Sequence, residues 1–361
     1  MSDVTSSGSG APPGLDPHAL RRYLDGVRPG MVTGELSAQL IAGGRSNLTY
    51  LVGDGTHEWV VRRPPLGHVL ATAHDMSREY RVMTALGGSP VPVPRTYLLC
   101  TDPDVLGAPF YVMERVIGTV YRTDTEALAL GAQRAEQIAF QLVDVLARLH
   151  ALDPEQVGLA DFGRPAGFLD RQLRRWQAQL EASHSRTVDG IAELRARLAR
   201  AVPAPQRAAV LHGDYRLDNV MIGSTSRAVD GPGSTSPADD GPGDEIVAVL
   251  DWEMSTLGDP LADLGLLAVY WSGGSRNWSP SLDEPRPSLL PWQDVVRRYA
   301  ERTGLDLTPL PWYVAFGYFK LAVILEGIHY RYVTGKTVGE GFATAGKAVA
   351  PLVARGLATL G

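Results

Sequence analysis

Residues 210–223 read VLHGDYRLDNVMIG and crowd His212, Asp214, Asp218 and Asn219 between two apolar stretches. A plain turn between buried segments needs one such polar residue, so this set points to chemistry. A later apolar run, EIVAVLDWE, ends near a further carboxylate, Asp251. A carboxylate beside a nucleophilic hydroxyl orients it and accepts its proton. An amide oxygen and a second carboxylate are hard donors for Mg2+, which takes few protein oxygens and adds phosphate oxygens. If the two runs form a hairpin, Asp214, Asn219 and Asp251 converge at one mouth. Those are the parts phosphoryl transfer requires, since positioning and charge neutralisation supply most of its catalysis.

Such a reaction also needs a cradle for phosphates. GGRSNLTY (43–50) lies between two strand-like runs. Glycines such as Gly44 let backbone N–H groups approach an anionic chain, and Ser46 and Asn47 add side-chain donors. Arg62 ends the run WVVR, on the same strand face as Val60, where a cation reaches nucleotide phosphates. Glu79, on the helix that follows, is the natural partner to hold it.

The positioning elements follow from residue periodicity. Asp16 and Pro17 read as the N-cap and first position of a helix. SAQLIAGG, LTYLVGD and EWVVRRP read as an antiparallel meander separated by glycine turns. HDMSREYRVMTALGG reads as a helix, with Tyr80, Met83 and Leu86 at helical spacing and Gly87 as its stop. VPVPRTYLLCTD and APFYVMERVIG supply two more strands. Beyond Val116 the pattern turns helical: Ile138, Leu142, Val145 and Leu149 share one face, as do Leu169, Leu173, Trp176 and Leu180. The tract 224–244 carries DGPG twice and too little apolar surface to fold alone, so it reads as a mobile insertion.

Composition sets the class. The 361 residues, 44% hydrophobic and 20% charged, suit a soluble globular protein of about two domains. A formal net charge of −6 supplies no basic field for nucleic acid or an anionic membrane. One cysteine, Cys100, excludes an internal disulfide framework and suits a reducing, cytoplasmic setting. The N-terminus lacks the basic and apolar regions of a secretory signal and reads as a tail. YVAFGYFKLAVIL is broken by Lys320 and too short for a bilayer.

The order of these motifs resembles the protein-kinase-like fold, and within it the aminoglycoside phosphotransferase family with its choline-kinase-like members. GGRSNLTY, VVRRPP, REYRVMTAL, HGDYRLDNVMIG and LDWEMSTLGDPLADLG are similar to the branch containing the kinase-like domains associated with acyl-CoA dehydrogenases. The resemblance spans roughly 30–350. It implies an α+β, two-lobed fold: a small antiparallel β lobe (16–115, nucleotide-binding) after a disordered tail (1–15), and a larger, mainly helical lobe (116–361, catalytic and acceptor-binding). By the same resemblance Asp214 is the catalytic base, Asn219 and Asp251 are Mg2+ ligands, and Arg62 is the phosphate cation. Glu114 to Val116 form the adenine hinge after Met113. ATP or GTP is the donor, and the acceptor is a hydroxyl on a small molecule. Most kinases carry lysine at the Arg62 position; arginine keeps the charge but presents a planar fork.

Other polar residues have quieter readings. His212 packs and orders its loop, His150 is a satisfied core histidine, and Asp218 braces the loop. Asp259 and Asp263 cap a helix and brace the catalytic loop, as an aspartate does in kinase-like folds. Arg171, Arg174 and Arg175 form a solvated face. Lys320, Glu326 and Arg331 interrupt an apolar helix and need partners; the resemblance puts this helix near the acceptor. Three alternatives follow: an aminoglycoside O-phosphotransferase, a nucleotide-binding pseudokinase with a regulatory role, and a protein kinase. The last lacks a recognisable activation segment after Asp251. For the acceptor, the branch points to a hydroxyacyl-CoA-like metabolite.

Overall fold

The computed structural model describes residues 11–41, 47–66, 75–183, 186–223, 245–272, 289–335 and 344–361. Gly44, Ser46, the first ten residues of the tail and the 224–244 insertion lie outside them. The chain divides into two compact units. The first takes Met1–Gly118 together with Val247–Glu253, and the second takes the remainder.

The first unit is built on a five-stranded sheet: β1 (Ser37–Leu40), β2 (Leu48–Gly53), β3 (Glu58–Arg63), β4 (Thr96–Cys100) and β5 (Phe110–Glu114). The order is β1-β2-β3-β5-β4 and every pairing is antiparallel. Strand alternation decides its two faces. Trp59, Val61, Phe110 and Val112 join Leu20 and Leu24 of the Pro17–Val27 helix in one buried cluster. Arg62 and Tyr111, paired across β3 and β5, therefore take the opposite face. Asp16 caps the Pro17–Val27 helix by accepting from His18 N at 2.9 Å, as its sequence position predicts.

The Met76–Leu86 helix starts at Asp75, whose carboxylate accepts from the N–H groups of Ser77 and Arg78. Its buried stripe includes Met83 and Leu86, and Glu79 lies in its first turn. On the α-helical repeat, Glu79 and Met83 share a face, so the stripe carries this carboxylate into the interior.

The second unit is mainly helical. Ala132–Ala151 buries Ile138, Leu142, Val145 and Leu149, and Phe168–Ala182 buries Leu169, Leu173, Trp176 and Leu180. Both match the stripes read from the sequence. Strand β6 (Ala209–Leu211) leads into the polar loop, and β7 (Val220–Gly223) leaves it. Strand β8 (Glu245–Val249) carries the chain out of this unit, and β9 (Thr256–Gly258) pairs antiparallel with β6.

The Leu261–Trp271 helix crosses the Leu310–Val333 helix at glycine. A Cβ on Gly265 would sit 2.5 Å from the backbone carbon of Tyr313, so only glycine permits this approach. Among the described residues no helix is long and apolar enough to cross a membrane.

Candidate functional site

In the first unit, Arg62 joins two carboxylates. Its Nη2 donates to Glu79 Oε1 at 3.1 Å and to Asp251 Oδ1 at 2.6 Å. Glu79 is 1% exposed and also accepts from the Tyr111 hydroxyl, at 2.9 Å on Oε2. Burial pushes the Glu79 carboxyl up, and the Arg62 charge pulls it back. Arg62 itself is pushed above the ordinary guanidinium range: burial opposes its charge, but Glu79, Tyr111 and Asp251 outweigh it. The sequence predicts both the Arg62–Glu79 pair and the shared face with Val60.

Asp251 is the one non-glycine residue with positive φ, +65°, among the described residues. A left-handed backbone costs such a residue energy and tends to mark sites where a side chain is aimed for function. Trp252 anchors the turn by donating from Nε1 to Val249 O at 3.0 Å. Donor oxygens of Glu79, Asp251 and Glu253 lie within 4.8 Å of one another. Asn47, 3% exposed, donates to Glu253 Oε2 at 3.4 Å, while its own buried Oδ1 has no hydrogen-bond partner. Glu253 escaped the sequence reading, although DWE advertises a second carboxylate two residues past Asp251.

The proposed hinge lies at the end of β5. Glu114 N donates to Arg95 O at 2.8 Å, and its carboxylate accepts from Arg95 N at 3.0 Å. Val116, half-buried, follows outside the strand.

In the second unit, the loop after β6 is held from several sides. Gly213 has φ +84°, and a Cβ there would meet Met254 O at 2.5 Å. Asp263 accepts from His212 N at 2.7 Å and Gly213 N at 2.9 Å, and lies 3.2 Å from His150 Nε2. His150 Nδ1 meets the Tyr299 hydroxyl at 2.6 Å. Burial works against the charge on Asp263, but His150 and the loop donors hold its carboxyl below the usual range. The bracing read for Asp263 and the satisfied state of His150 are both present.

Asp214 itself has each carboxylate oxygen engaged. Tyr270 donates its hydroxyl to Oδ1 at 2.6 Å. Asn219 donates Nδ2 to Oδ2 at 3.2 Å and to the Asp214 carbonyl at 2.8 Å. Arg216 lies 3.4 Å from Oδ2, pairs with Asp218 at 2.9 Å, and covers the Tyr270 ring at 4.8 Å. With its NH2 turned to Asp214, Asn219 has its amide oxygen left for a cation. An amide oxygen is a donor type that a hard divalent ion accepts, and so, in the first unit, are the carboxylates of Asp251 and its neighbours. Tyr270 was not singled out from sequence. Its signal is the spacing from Asp263: seven residues, two helical turns, hence one face.

The three residues on the Leu310–Val333 helix part company. Lys320 donates Nζ to Gly213 O at 2.8 Å, next to Asp214, and lies over the Trp176 ring. Glu326 is 1% exposed and accepts from Arg186 Nη2 at 2.8 Å, and Arg186 also donates to Gly346 O. Arg331 is exposed in the last turn. They do not form one cluster: Lys320 meets the loop, and Glu326 serves the helix packing.

Comparison with known proteins identifies the family and the fold. The model of the phosphotransferase enzyme family matches residues 37–231 and 239–288. Acyl-CoA dehydrogenase family member 11 of Gallus gallus is 33% identical over 360 residues, covering 95% of this chain. The chain spans only 43% of that relative's length. A solved structure from Ralstonia eutropha JMP134, named for the aminoglycoside phosphotransferases, is 30% identical with a TM-score of 0.79 over 96% of this chain and 98% of that one. An aminoglycoside 2'-phosphotransferase-IIIa in complex with GDP (15% identical, TM-score 0.58, 96% and 97% covered) and a Plasmodium vivax ethanolamine kinase (13%, 0.57, 92% and 84%) share the fold. The fold is thus the protein-kinase-like one, with a small antiparallel sheet and a larger helical part. A family match over most of the chain, with relatives and a solved structure at 30% identity or more, settles the membership: the chain belongs to the phosphotransferase enzyme family.

Proposed function

We propose that the protein transfers the γ-phosphate of ATP or GTP to a hydroxyl on a small metabolite. The observation that carries this reading is Asp214, a carboxylate fixed through its own side chain and through the backbone of its loop. In that role Asp214 orients the acceptor hydroxyl and takes its proton as the new P–O bond forms. Asn219 and Asp251 are the proposed Mg2+ ligands, and the ion would neutralise charge on the phosphates. Arg62, held by Glu79, faces the nucleotide phosphates, with Gly44, Ser46 and Asn47 as the further proposed phosphate-binding residues. Glu114 to Val116 are the proposed adenine contact, and Lys320 supports the acceptor side by holding the Gly213 carbonyl. The setting proposed is cytoplasmic.

The hydroxyacyl-CoA-like acceptor draws support from the name of the Gallus gallus relative, acyl-CoA dehydrogenase family member 11. An aminoglycoside acceptor is the second reading, favoured by the name of the Ralstonia eutropha structure. Calorimetry of ATP and GTP binding, with and without Mg2+, tests the donor half on wild type and Asp251→Asn. Mg2+-dependent binding that loses its dependence in Asp251→Asn supports the assignment; no nucleotide binding in either metal state refutes it. Incubation with Mg-ATP and either 4-hydroxyacyl-CoAs or kanamycin then tests the acceptor. A phosphorylated drug beside unmodified thioesters would overturn the acyl preference.

A further inference from the structure

Two features of the Leu261–Trp271 helix act on one loop. Asp263 fixes the loop backbone at His212 and Gly213, and Tyr270, two turns on, reaches the Asp214 carboxylate. Of the two carboxylate oxygens, Oδ2 receives Asn219 Nδ2 and lies near Arg216. Oδ1 is the oxygen left to accept a substrate proton, and the Tyr270 hydroxyl sits 2.6 Å from it. That is the ordinary separation of a hydroxyl donating to a carboxylate. The phenol oxygen thus stands where a nucleophilic hydroxyl, or a water, would stand.

We infer that Tyr270 is a placeholder on the base, which keeps water from being activated until a bound acceptor takes its position. The inference rests on the role proposed above for Asp214. The reaction it suppresses is hydrolysis. A water oxygen bonds to the γ-phosphorus, the bond to the β-bridging oxygen breaks, the nucleoside diphosphate leaves, and the water proton passes to Asp214 and on to solvent. A lone water brings no binding energy of its own to displace a phenol held at this distance. An acceptor bound through the rest of its structure does, and uses that energy to open the site. The phenol is suited to the task because it stays protonated: burial, and then the Asp214 charge, push it well above the ordinary tyrosine range. Arg216 over its ring holds it in place.

The test needs no identified acceptor. Purified wild type, Tyr270→Phe and Tyr270→Phe/Asp214→Asn are compared for hydrolysis of Mg-ATP in water, with ATP binding and melting temperature measured alongside. Tyr270→Phe should hydrolyse ATP about tenfold faster than wild type, the scale of one hydrogen bond to a charged group. Adding Asp214→Asn should abolish the gain. Should Tyr270→Phe unfold, Tyr270→Leu also lacks the hydroxyl and carries the same test. Unchanged or slower hydrolysis in a variant that binds ATP like wild type overturns the inference alone, as does a gain that survives Asp214→Asn. A wild type that binds no Mg-ATP overturns the functional reading, and this inference with it.

Discussion

Glu79→Gln isolates the electrostatic part of the Arg62 cluster, because it keeps the side-chain shape and removes one charge. Glu79 is 1% exposed, and Arg62 holds it at 3.1 Å through Nη2. Removing one partner of a buried ion pair costs about 3–5 kcal/mol, because the other charge stays buried without compensation. Arg62 cannot shed its proton, but it keeps Asp251 at 2.6 Å. The loss should therefore fall at the low end, about 3 kcal/mol. Urea unfolding followed by tryptophan fluorescence measures it, and hydrogen exchange should place the weakening at β3 and the Met76–Leu86 helix. Among the described residues the same change leaves Asp251 as the one carboxylate bonded to Arg62, which makes Asp251 a poorer cation ligand. Half-saturation of ATP binding should accordingly need more Mg2+. A stability loss under about 1 kcal/mol, outside the range for a broken buried pair, would mean that Glu79 is already neutral in the folded protein. The account of Arg62 as charge-held would then fail.

Other perturbations test other parts of the chain. Asp54 accepts from Thr33 N, Thr56 N and His57 N; burial opposes its charge, yet these donors hold the carboxyl well below its ordinary range. Its stabilisation is thus present above the unfolded value, about 3.9, and disappears as pH falls toward the lower folded value. Asp54→Asn should cost stability at pH 7, and its deficit should shrink in melts taken below about pH 4. Equal deficits at both pH values would refute this. Gly265→Ala places a methyl 2.5 Å from Tyr313 backbone, and overpacking of this kind costs about 1–3 kcal/mol or more; an unchanged thermal midpoint would contradict the crossing described. Lys320→Met keeps apolar contact with Trp176 and removes the donor to Gly213 O. Phosphotransfer should fall about tenfold, the scale of one charged hydrogen bond, with ATP affinity unchanged by calorimetry.

How much of this could be read from the chain varies with the kind of signal. The Asp16 cap, the β meander and the apolar faces of the long helices follow local rules, and the sequence carries them openly. Arg62 with Glu79 was legible because strand alternation and a helical first turn fix both directions. The partners of Asp214 were not, since Tyr270 lies in an apolar run, LADLGLLAVYW, where a tyrosine passes for core. Glu326 failed differently. Read beside Lys320 and Arg331 as a polar set, it instead meets Arg186, distant in sequence, and no local spacing announces that pairing. Gly265 gives no sign in the sequence that another backbone lies against it.

The membership of Val247–Glu253 in the first unit bears on how this protein comes off the ribosome. The five strands are all synthesised by Glu114, yet Asp251, the second carboxylate on Arg62, follows that arginine by 189 residues. A nascent chain can assemble the sheet early, with Glu79 as the only carboxylate among these two for Arg62, and must wait for most of the second unit before completing the cluster. Closing so long a loop is entropically slow. A fragment ending at Gly118 would accordingly contain the cation and never its second anchor, and splitting the protein between its two units in sequence is not the same as splitting it in space.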